Sequence, residues 1–282
     1  MEITEKLRAM RLMAVNVRIE TIRQMMIIGF GHIGGSMSIA DVVGVLYGGA
    51  MNLDPHNPTW EDRDKLVCSK GHAGPAIYAA LALRGFFPKD WLDTLNQPGT
   101  NLPSHCDRTK TPGIDLTTGS LGQGLSGAVG LALATRADGK PAYTYCIVGD
   151  GECQEGQIWE AAMVAAQYKL DHLICFIDFN DKQIDGTLEQ VNDITNFAER
   201  FTAFRWNVYA VDGHDAAAIL EAIEKAKTNP GKPSVIVLRT IKGKGCDFVE
   251  KMGYNHHILM PRAECEAEIA RLQQEAAKIE KE

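Results

Sequence analysis

An aspartate and an asparagine, Asp150 and Asn180, are the residues of this chain best spaced to do chemistry together. Asp150 lies in Gly149-Asp150-Gly151-Glu152, directly after the apolar run Tyr143-Thr144-Tyr145-Cys146-Ile147-Val148. Asn180 follows a second apolar run, Leu173-Ile174-Cys175-Phe176-Ile177, and a helix-like stretch from Gln157 to Tyr168 separates the two. A strand–helix–strand unit of this kind has parallel neighbouring strands, which bring both residues to one edge of a sheet. A carboxylate and a neutral amide oxygen placed there suit a hard divalent cation such as Mg²⁺, which normally also grips a ligand's phosphates. Gly149 and Gly151 let the backbone turn off the strand and approach a phosphate closely. Taken alone, Gly-Asp-Gly fits a plain β-turn and Asn180 a loop cap. The strand contexts and the spacing together favour the cation site.

Histidines supply a second kind of chemistry. His32, His72 and His105 all lie in glycine- or proline-bearing loops, and His72 directly follows a predicted strand, where ligands of α/β sheets collect. His256 and His257, after Lys242-Gly243-Lys244-Gly245, form a further candidate. Neutral imidazoles can move protons on and off sugar hydroxyls and can donate to phosphate oxygens. A lone loop histidine is usually just solvated; several such loops beside a cation site carry more weight. His56, His172 and His214 lack such a context and read as structural.

These residues must be positioned by regular elements. Leu7 to Met26 reads as a helix ending at the glycine-rich Gly29-Phe30-Gly31-His32-Ile33-Gly34-Gly35-Ser36, with a second helix from Ser38 to Tyr47 and Ser36 or Ser38 near its cap. Lys65 to Cys68 is a short strand, followed by Ser69-Lys70-Gly71-His72-Ala73 and a helix through Leu83. Residues 86–118 hold four prolines and little periodicity, and so long a loop in a compact domain is usually functional. A small-residue helix from Leu121 to Thr135 precedes the unit that carries Asp150 and Asn180. Trp206–Val211 and Ser234–Leu238 are two more strands around a helix from Ala216 to Lys227. Strands alternating with helices imply an α/β fold, a mostly parallel sheet with helices on both faces. The expectation is one domain over residues 1–282, closed by a charged helix near 263–281.

The 282 residues can bury a sizeable core, with 45% hydrophobic and 23% charged residues, ordinary values for a globular chain. A net charge of −7 without a long basic run disfavours nucleic acid and acidic membranes as partners. The acid-bearing N-terminus lacks a signal-peptide core, and no run approaches the ~20 apolar residues of a membrane span. Seven cysteines without a C-x-x-C pair, several in strand-like runs, read as reduced buried thiols of a cytoplasmic protein, with neither disulfides nor zinc.

Gly122-Gln123-Gly124-Leu125-Ser126-Gly127 matches the dinucleotide code G-x-G-x-x-G, and Asp150 falls about where a ribose-binding acid would stand. A nicotinamide-dependent dehydrogenase is therefore a competing reading. Against it, Pro112 to Thr118 makes a poor buried strand, the code sits well inside the chain, and Gly149, Gly151 and Asn180 are left without a task. Glycines that let a cofactor or a neighbouring helix approach the backbone fit better.

Together these segments resemble the thiamine-diphosphate-dependent transketolase family, specifically its N-terminal, diphosphate-binding half. The runs that carry the resemblance are Gly31-His32-Ile33-Gly34-Gly35, Ser69-Lys70-Gly71-His72-Ala73, Thr117 to Gly124, Gly149-Asp150-Gly151 through Glu155-Gly156, Asn180 to Ile184-Asp185-Gly186, and Lys242-Gly243-Lys244-Gly245. Position by position, the resemblance implies Asp150, Asn180 and the backbone carbonyl of Lys182 as ligands of Mg²⁺, with Ca²⁺ or Mn²⁺ as substitutes. It implies Gly149, Gly151 and His72 at the diphosphate, and His256 near the diphosphate and the reacting sugar. His32 and His105 would bind sugar hydroxyls and assist proton transfer; Gly119, Leu121 and Ile184 would line the thiamine rings. Glu155 and Glu160 would belong to an acidic network that couples active sites across a subunit interface.

Three departures bear on substrate choice. Lys182 stands where the family usually has an apolar residue. Asn255-His256-His257 replaces the frequent tryptophan–histidine–glycine, and His32-Ile33-Gly34 replaces His-Pro-Gly. Full-length members also carry a further half, with the glutamate that protonates the aminopyrimidine ring and the basic residues for substrate phosphate. The resemblance therefore implies the N-terminal subunit of a split transketolase, a natural subunit rather than a fragment. In a two-plus-two hetero-oligomer with a C-terminal partner subunit, it would work on sugar phosphates. Alternatives are a deoxyxylulose-phosphate synthase, a 2-oxoacid dehydrogenase E1 α-subunit, or a non-catalytic homologue; the histidine loops and the Ser-Lys-Gly-His-Ala run favour transketolase.

Overall fold

A computed structural model describes residues 3–184 and 186–282; Asp185 of the Ile184-Asp185-Gly186 run lies outside the described residues. Nine strands occur among the described residues: β1 (Phe30–Gly31), β2 (Lys65–Cys68), β3 (Thr144–Gly149), β4 (Leu173–Phe179), β5 (Lys182–Gln183), β6 (Gly186–Thr187), β7 (Asn207–Asp212), β8 (Ser234–Arg239) and β9 (Ile258–Leu259). Five of them form the central sheet, in the order β2-β3-β4-β8-β7, and every pairing in it is parallel. β1 with β9, and β5 with β6, make two small antiparallel ribbons.

The near-continuous apolar runs of β3 and β4 mark strands covered on both faces. Alternate side chains accordingly enter two separate cores. Tyr145, Ile147, Ile174 and Phe176 pack with helices Ile3–Ile28, Gly74–Arg84 and Ala216–Lys227. Cys146, Val148, Cys175 and Ile177 pack with helices Gln123–Ala137 and Gly156–Gln167. Helix Ala216–Lys227 starts and stops where the sequence places it. The Asp215 carboxylate accepts from the N–H groups of Ala217 and Ala218, and Lys225 and Lys227 lie in the last turn, against the helix dipole. All seven cysteines are free and buried. No described helix is long and apolar enough to cross a membrane.

The glycine-rich run after the first helix departs from expectation. It is not a loop: Ile33–Ser38 is helical, Ala40–Val45 continues as a second short helix, and Leu46–Ala50 forms a π-helical turn. Neither serine caps a helix. Ser36 Oγ donates back to the His32 carbonyl, and Ser38 Oγ donates to the Gly35 carbonyl and to Asp178. Tertiary packing overrides local propensity here, since every residue of Ile33–Ser38 is buried.

His214, read as structural, joins a buried ionic cluster. The Asp41 carboxylate accepts from Arg18 at 3.0 and 2.5 Å and from His214 Nδ1 at 2.7 Å, while His214 Nε2 accepts from the Ile241 N–H. The cluster ties the first helix to the segment that enters the site at Lys242. Burial alone would raise the Asp41 carboxyl, but Arg18 and His214 outweigh it and hold it at about 2. Asp41→Asn strands Arg18, and the expected loss is about 3 kcal/mol or more in urea unfolding. Because the folded carboxyl lies below its unfolded value, its stabilisation is present above pH ~4 and drains away as pH falls towards 2. A flat wild-type-minus-variant difference between pH 2 and 5 would show that the cluster contributes nothing.

Candidate active site

Parallel pairing puts Gly149 opposite Asp178, so Asp150 and Asn180 leave the C-terminal tips of adjacent strands. The turn after β4 folds back over Asp150: its Oδ2 accepts from the Asp181 N–H at 2.6 Å and its Oδ1 from the Gly151 N–H at 2.8 Å. Asn180 is held by its amide nitrogen, which donates to Asp178 Oδ2 at 2.9 Å, leaving its Oδ1 on the side of Lys182. Asp150 is buried, and burial first, with Asp178 second, raises its carboxyl to about 7. A carboxylate so costly to ionise alone calls for a cation. Asp150, Asn180 and Lys182 line one cavity, and the carboxylate, amide and carbonyl oxygens they carry are of the hard type that would suit Mg²⁺. Among the described residues no three His, Cys, Asp or Glu gather as a metal cluster. A cation on this set would complete its shell with water or with oxygens of a ligand.

Asp178 is a residue that the sequence reading gave no role. Fully buried, it accepts from Lys70 Nζ at 2.6 Å, Ser38 Oγ at 2.7 Å, Asn180 Nδ2 at 2.9 Å and Thr240 Oγ1 at 2.5 Å. Two lysines were missed as well. Lys70 also donates to the Gly35 carbonyl, and Lys242 Nζ donates to the Lys182 carbonyl at 2.8 Å. Burial, reinforced by Lys70, lowers the Lys242 ammonium to about 8. Both lysines face the cavity, so two ammonium groups and a cation set surround one polar pit. Lys70 was visible inside the Ser-Lys-Gly-His-Ala run and Lys242 inside Lys-Gly-Lys-Gly. Only their burial marks them as more than solvated charges.

The histidines converge as expected. Ring centroids of His32 lie 5.4 Å from His72, 5.7 Å from His105 and 5.4 Å from His256, and His72 lies 4.9 Å from His256. Burial lowers all four: His32 to about 4, helped by His257 and His105, and His256 to about 3, helped by Lys242 and His32. His72 falls well below the usual imidazole range through burial and Lys70, and His105 falls through burial. Each shift favours the uncharged imidazole, a form that can both donate and accept. His256 Nδ1 is buried without a hydrogen-bond partner, an orphan that a ligand would satisfy.

The whole assembly lines one cavity of about 420 Å³, bounded also by Gly119, Leu121, Gly149, Gly151, Glu155 and Ile184. Leu121 and Ile184 stand exposed at its rim. Glu160 does not reach it: it stands exposed on helix Gly156–Gln167, and Glu155 is at the exposed edge. The acid that ties the loops together is Glu152, which is buried. Its Oε1 accepts from the Gly122 N–H at 2.9 Å and from Ser69 Oγ, and its Oε2 from the Gly149 N–H at 2.9 Å.

The dinucleotide-like glycine code also finds its reason. A Cβ on Gly124 would stand 2.3–2.5 Å from Ser69, so glycine lets the helix start press against the Ser69 loop. Residues 112–118 form no strand, so the code does not open a dinucleotide-binding unit. A Cβ on Gly34 would meet the Asn255 carbonyl at 2.1 Å, which is how the His32 helix closes on the His256 loop.

Over residues 9–276 the chain matches the family model described as transketolase, thiamine diphosphate binding domain. It belongs to the transketolase family. It is 52% identical over 261 residues to the 6-deoxy-6-sulfo-D-fructose transketolase subunit SqwG of Clostridium sp. (strain MSTE9), covering 93% of this chain and 95% of that one. It is 38% identical over 252 residues to an apulose-4-phosphate transketolase subunit of Phocaeicola vulgatus, covering 89% of each. The transketolase structure from Campylobacter jejuni superimposes with a TM-score of 0.83 at 30% identity, over 100% of this chain and 48% of that one. The chain thus spans about half the length of the solved transketolases it matches. The α/β fold and the thiamine diphosphate-binding domain expected from the sequence stand.

Proposed function

We propose that this chain is the thiamine diphosphate-binding subunit of a two-subunit transketolase. With a C-terminal partner subunit it transfers a two-carbon ketol unit from a ketose phosphate or sulfonate to an aldose phosphate. One observation carries the reading: Asp150, Asn180 and Lys182 line a single cavity together with His32, His72, His105 and His256. The near full-length relatives named as transketolase subunits support the two-chain arrangement.

Asp150, the Asn180 Oδ1 and the Lys182 carbonyl would hold Mg²⁺ beside the diphosphate. Lys70, Lys242 and His72 would donate to the phosphate oxygens, and Gly119, Leu121 and Ile184 would line the rings. Thiamine diphosphate, when bound, supplies the electron sink for breaking a C–C bond next to a carbonyl. His32 and His105 hold hydroxyls of the sugar, and their neutral nitrogens take and return the hydroxyl proton. His256, beside them in the same cavity, would face the same sugar. Leu121, Ile184 and the Glu155 edge face the partner subunit, which completes the site in a hetero-oligomer. A cytoplasmic setting, in keeping with seven buried free thiols, belongs to the same proposal.

The test is reconstitution. The chain is mixed with its partner subunit, Mg²⁺ and thiamine diphosphate, and ketol transfer is followed from a panel of ketose phosphates and 6-deoxy-6-sulfo-D-fructose to aldose phosphates. Transfer by the pair and none by the chain alone is expected. Failure of the pair with every donor and acceptor overturns the reading.

A further inference from the structure

The Lys242 ammonium stands among the oxygens proposed for the cation. Its one hydrogen bond among the described residues runs to the Lys182 carbonyl, at 2.8 Å. The side chain is buried and lines the main cavity with Asp150 and Asn180. Its charge is also felt at Asp150. Burial and then Asp178 push that carboxyl up, while the Gly151 and Asp181 N–H groups and then Lys242 pull it down. Lys70, the other lysine deep in the pit, differs. It has the Asp178 carboxylate at 2.6 Å, and among the described residues Lys242 has no such ion pair.

The backbone around Lys242 is held on two sides. The Asn255 amide donates to the Lys242 carbonyl at 3.0 Å, and the Gly243 N–H donates to the Gly34 carbonyl at 3.0 Å. A Cβ on Gly34 would stand 3.0 Å from Lys242 Cγ, so glycine there leaves room for the stem.

A carbonyl oxygen has two lone pairs, so it can accept from Lys242 and still bond a cation. Both positive charges would then share one oxygen in a buried pit, where water screens their repulsion poorly. A diphosphate reverses the balance. Its oxygens give the ammonium an anionic partner and give the cation further ligands. One side chain therefore opposes a bare cation and favours the cation together with a diphosphate.

We infer that Lys242 couples the two ligands: it keeps bare divalent cations off Asp150, Asn180 and Lys182 and admits them with the diphosphate. The inference rests on the transketolase reading of the chain. It follows that the diphosphate precedes the cation or arrives with it.

The experiment titrates the reconstituted complex with Mn²⁺ as the probe, without and with thiamine diphosphate, and with thiamine diphosphate in metal-free buffer. Lys242→Met removes the ammonium, and Lys242→Gln replaces it with a neutral amide. Both variants should bind Mn²⁺ alone about tenfold more tightly than wild type, and thiamine diphosphate alone about tenfold more weakly. The factor by which each ligand tightens the other should fall about tenfold, and linkage requires the same factor from either titration. Ligand-free urea midpoints should stay at or above wild type, since a buried charge without a carboxylate partner is removed. Affinity for Mn²⁺ alone that is unchanged or weaker in both variants overturns the proposal and leaves Lys242 a phosphate contact only. So does a wild type that binds Mn²⁺ equally well with and without thiamine diphosphate. A wild-type complex that takes up no thiamine diphosphate, with or without Mn²⁺, overturns the transketolase reading itself, and this proposal with it.

Discussion

Asp150→Ala is expected to lower ketol transfer by the reconstituted complex about 10³-fold or more. In the proposed cation set the carboxylate is the one anionic ligand beside an amide and a backbone carbonyl, so neither of the others can replace its charge. Loss of several kcal/mol of charge stabilisation corresponds to three or more powers of ten in rate. Binding reports the same change without turnover. Mg²⁺ and thiamine diphosphate should raise the melting temperature of wild type through linkage, and that rise should vanish in the variant. Without ligands the variant should melt close to wild type, since removing Asp150 relieves a buried carboxyl pushed up to about 7 while losing its bonds to two N–H groups. Asp150→Asn keeps the shape and should fail similarly. A variant within tenfold of wild type would make the cation site vestigial.

Glu152→Ala is the second large effect, and it acts on assembly of the site. This buried carboxyl is the common acceptor for the start of helix Gln123–Ala137, the end of β3 and the Ser69 hydroxyl. Its removal leaves the Gly122 and Gly149 N–H groups buried and unpaired, each costing about 1–3 kcal/mol. A combined loss of about 3–5 kcal/mol is a large share of the ~5–15 kcal/mol that holds a typical domain folded. The loss should appear as a lower urea midpoint. Thiamine diphosphate affinity should fall with it, because Gly149 and the Ser69 loop flank the phosphate-facing residues. Glu152→Gln retains an acceptor oxygen and a similar shape and should recover more than half of both losses. If the alanine variant unfolds at the wild-type midpoint, the three loops are held by something else.

Comparing the two residues shows what a sequence can disclose. Asp150 was legible because its neighbours are diagnostic: an apolar run before it, glycines around it, and Asn180 at the next strand end. The pairing of β3 with β4 that unites them follows from alternation of strand and helix, which is a local pattern. Helix Ala216–Lys227 was legible for the same reason, with its acidic cap and basic last turn. Glu152 carries no such signature, because a glutamate one residue past a turn glycine is ordinarily solvated. Its role arises from Ser69 and Gly122, neighbours only in three dimensions. Asp178 and Lys70 were hidden in the same way: each reads as a charge near a strand end until the fold buries them together. The helix at Ile33–Ser38 ran against local propensity, since two glycines and two serines argue for a loop. Its stability comes from close approach, with Gly34 lying against the Asn255 carbonyl. Glu160, assigned through the family pattern, stays outside the cavity and exposed on its helix.

The short ribbon between Phe30–Gly31 and Ile258–Leu259 has a consequence for how the protein becomes competent. It brings the first and last histidine loops together from opposite ends of the polypeptide, so the histidines proposed to bind sugar meet only once the intervening chain has packed. Contacts of such long sequence separation form late. Affinity for a sugar should therefore emerge as a final step, after the phosphate-facing strand tips are in place. Deleting the segment that supplies Ile258 and Leu259 should leave a protein that still grips a diphosphate but no longer discriminates among carbohydrates.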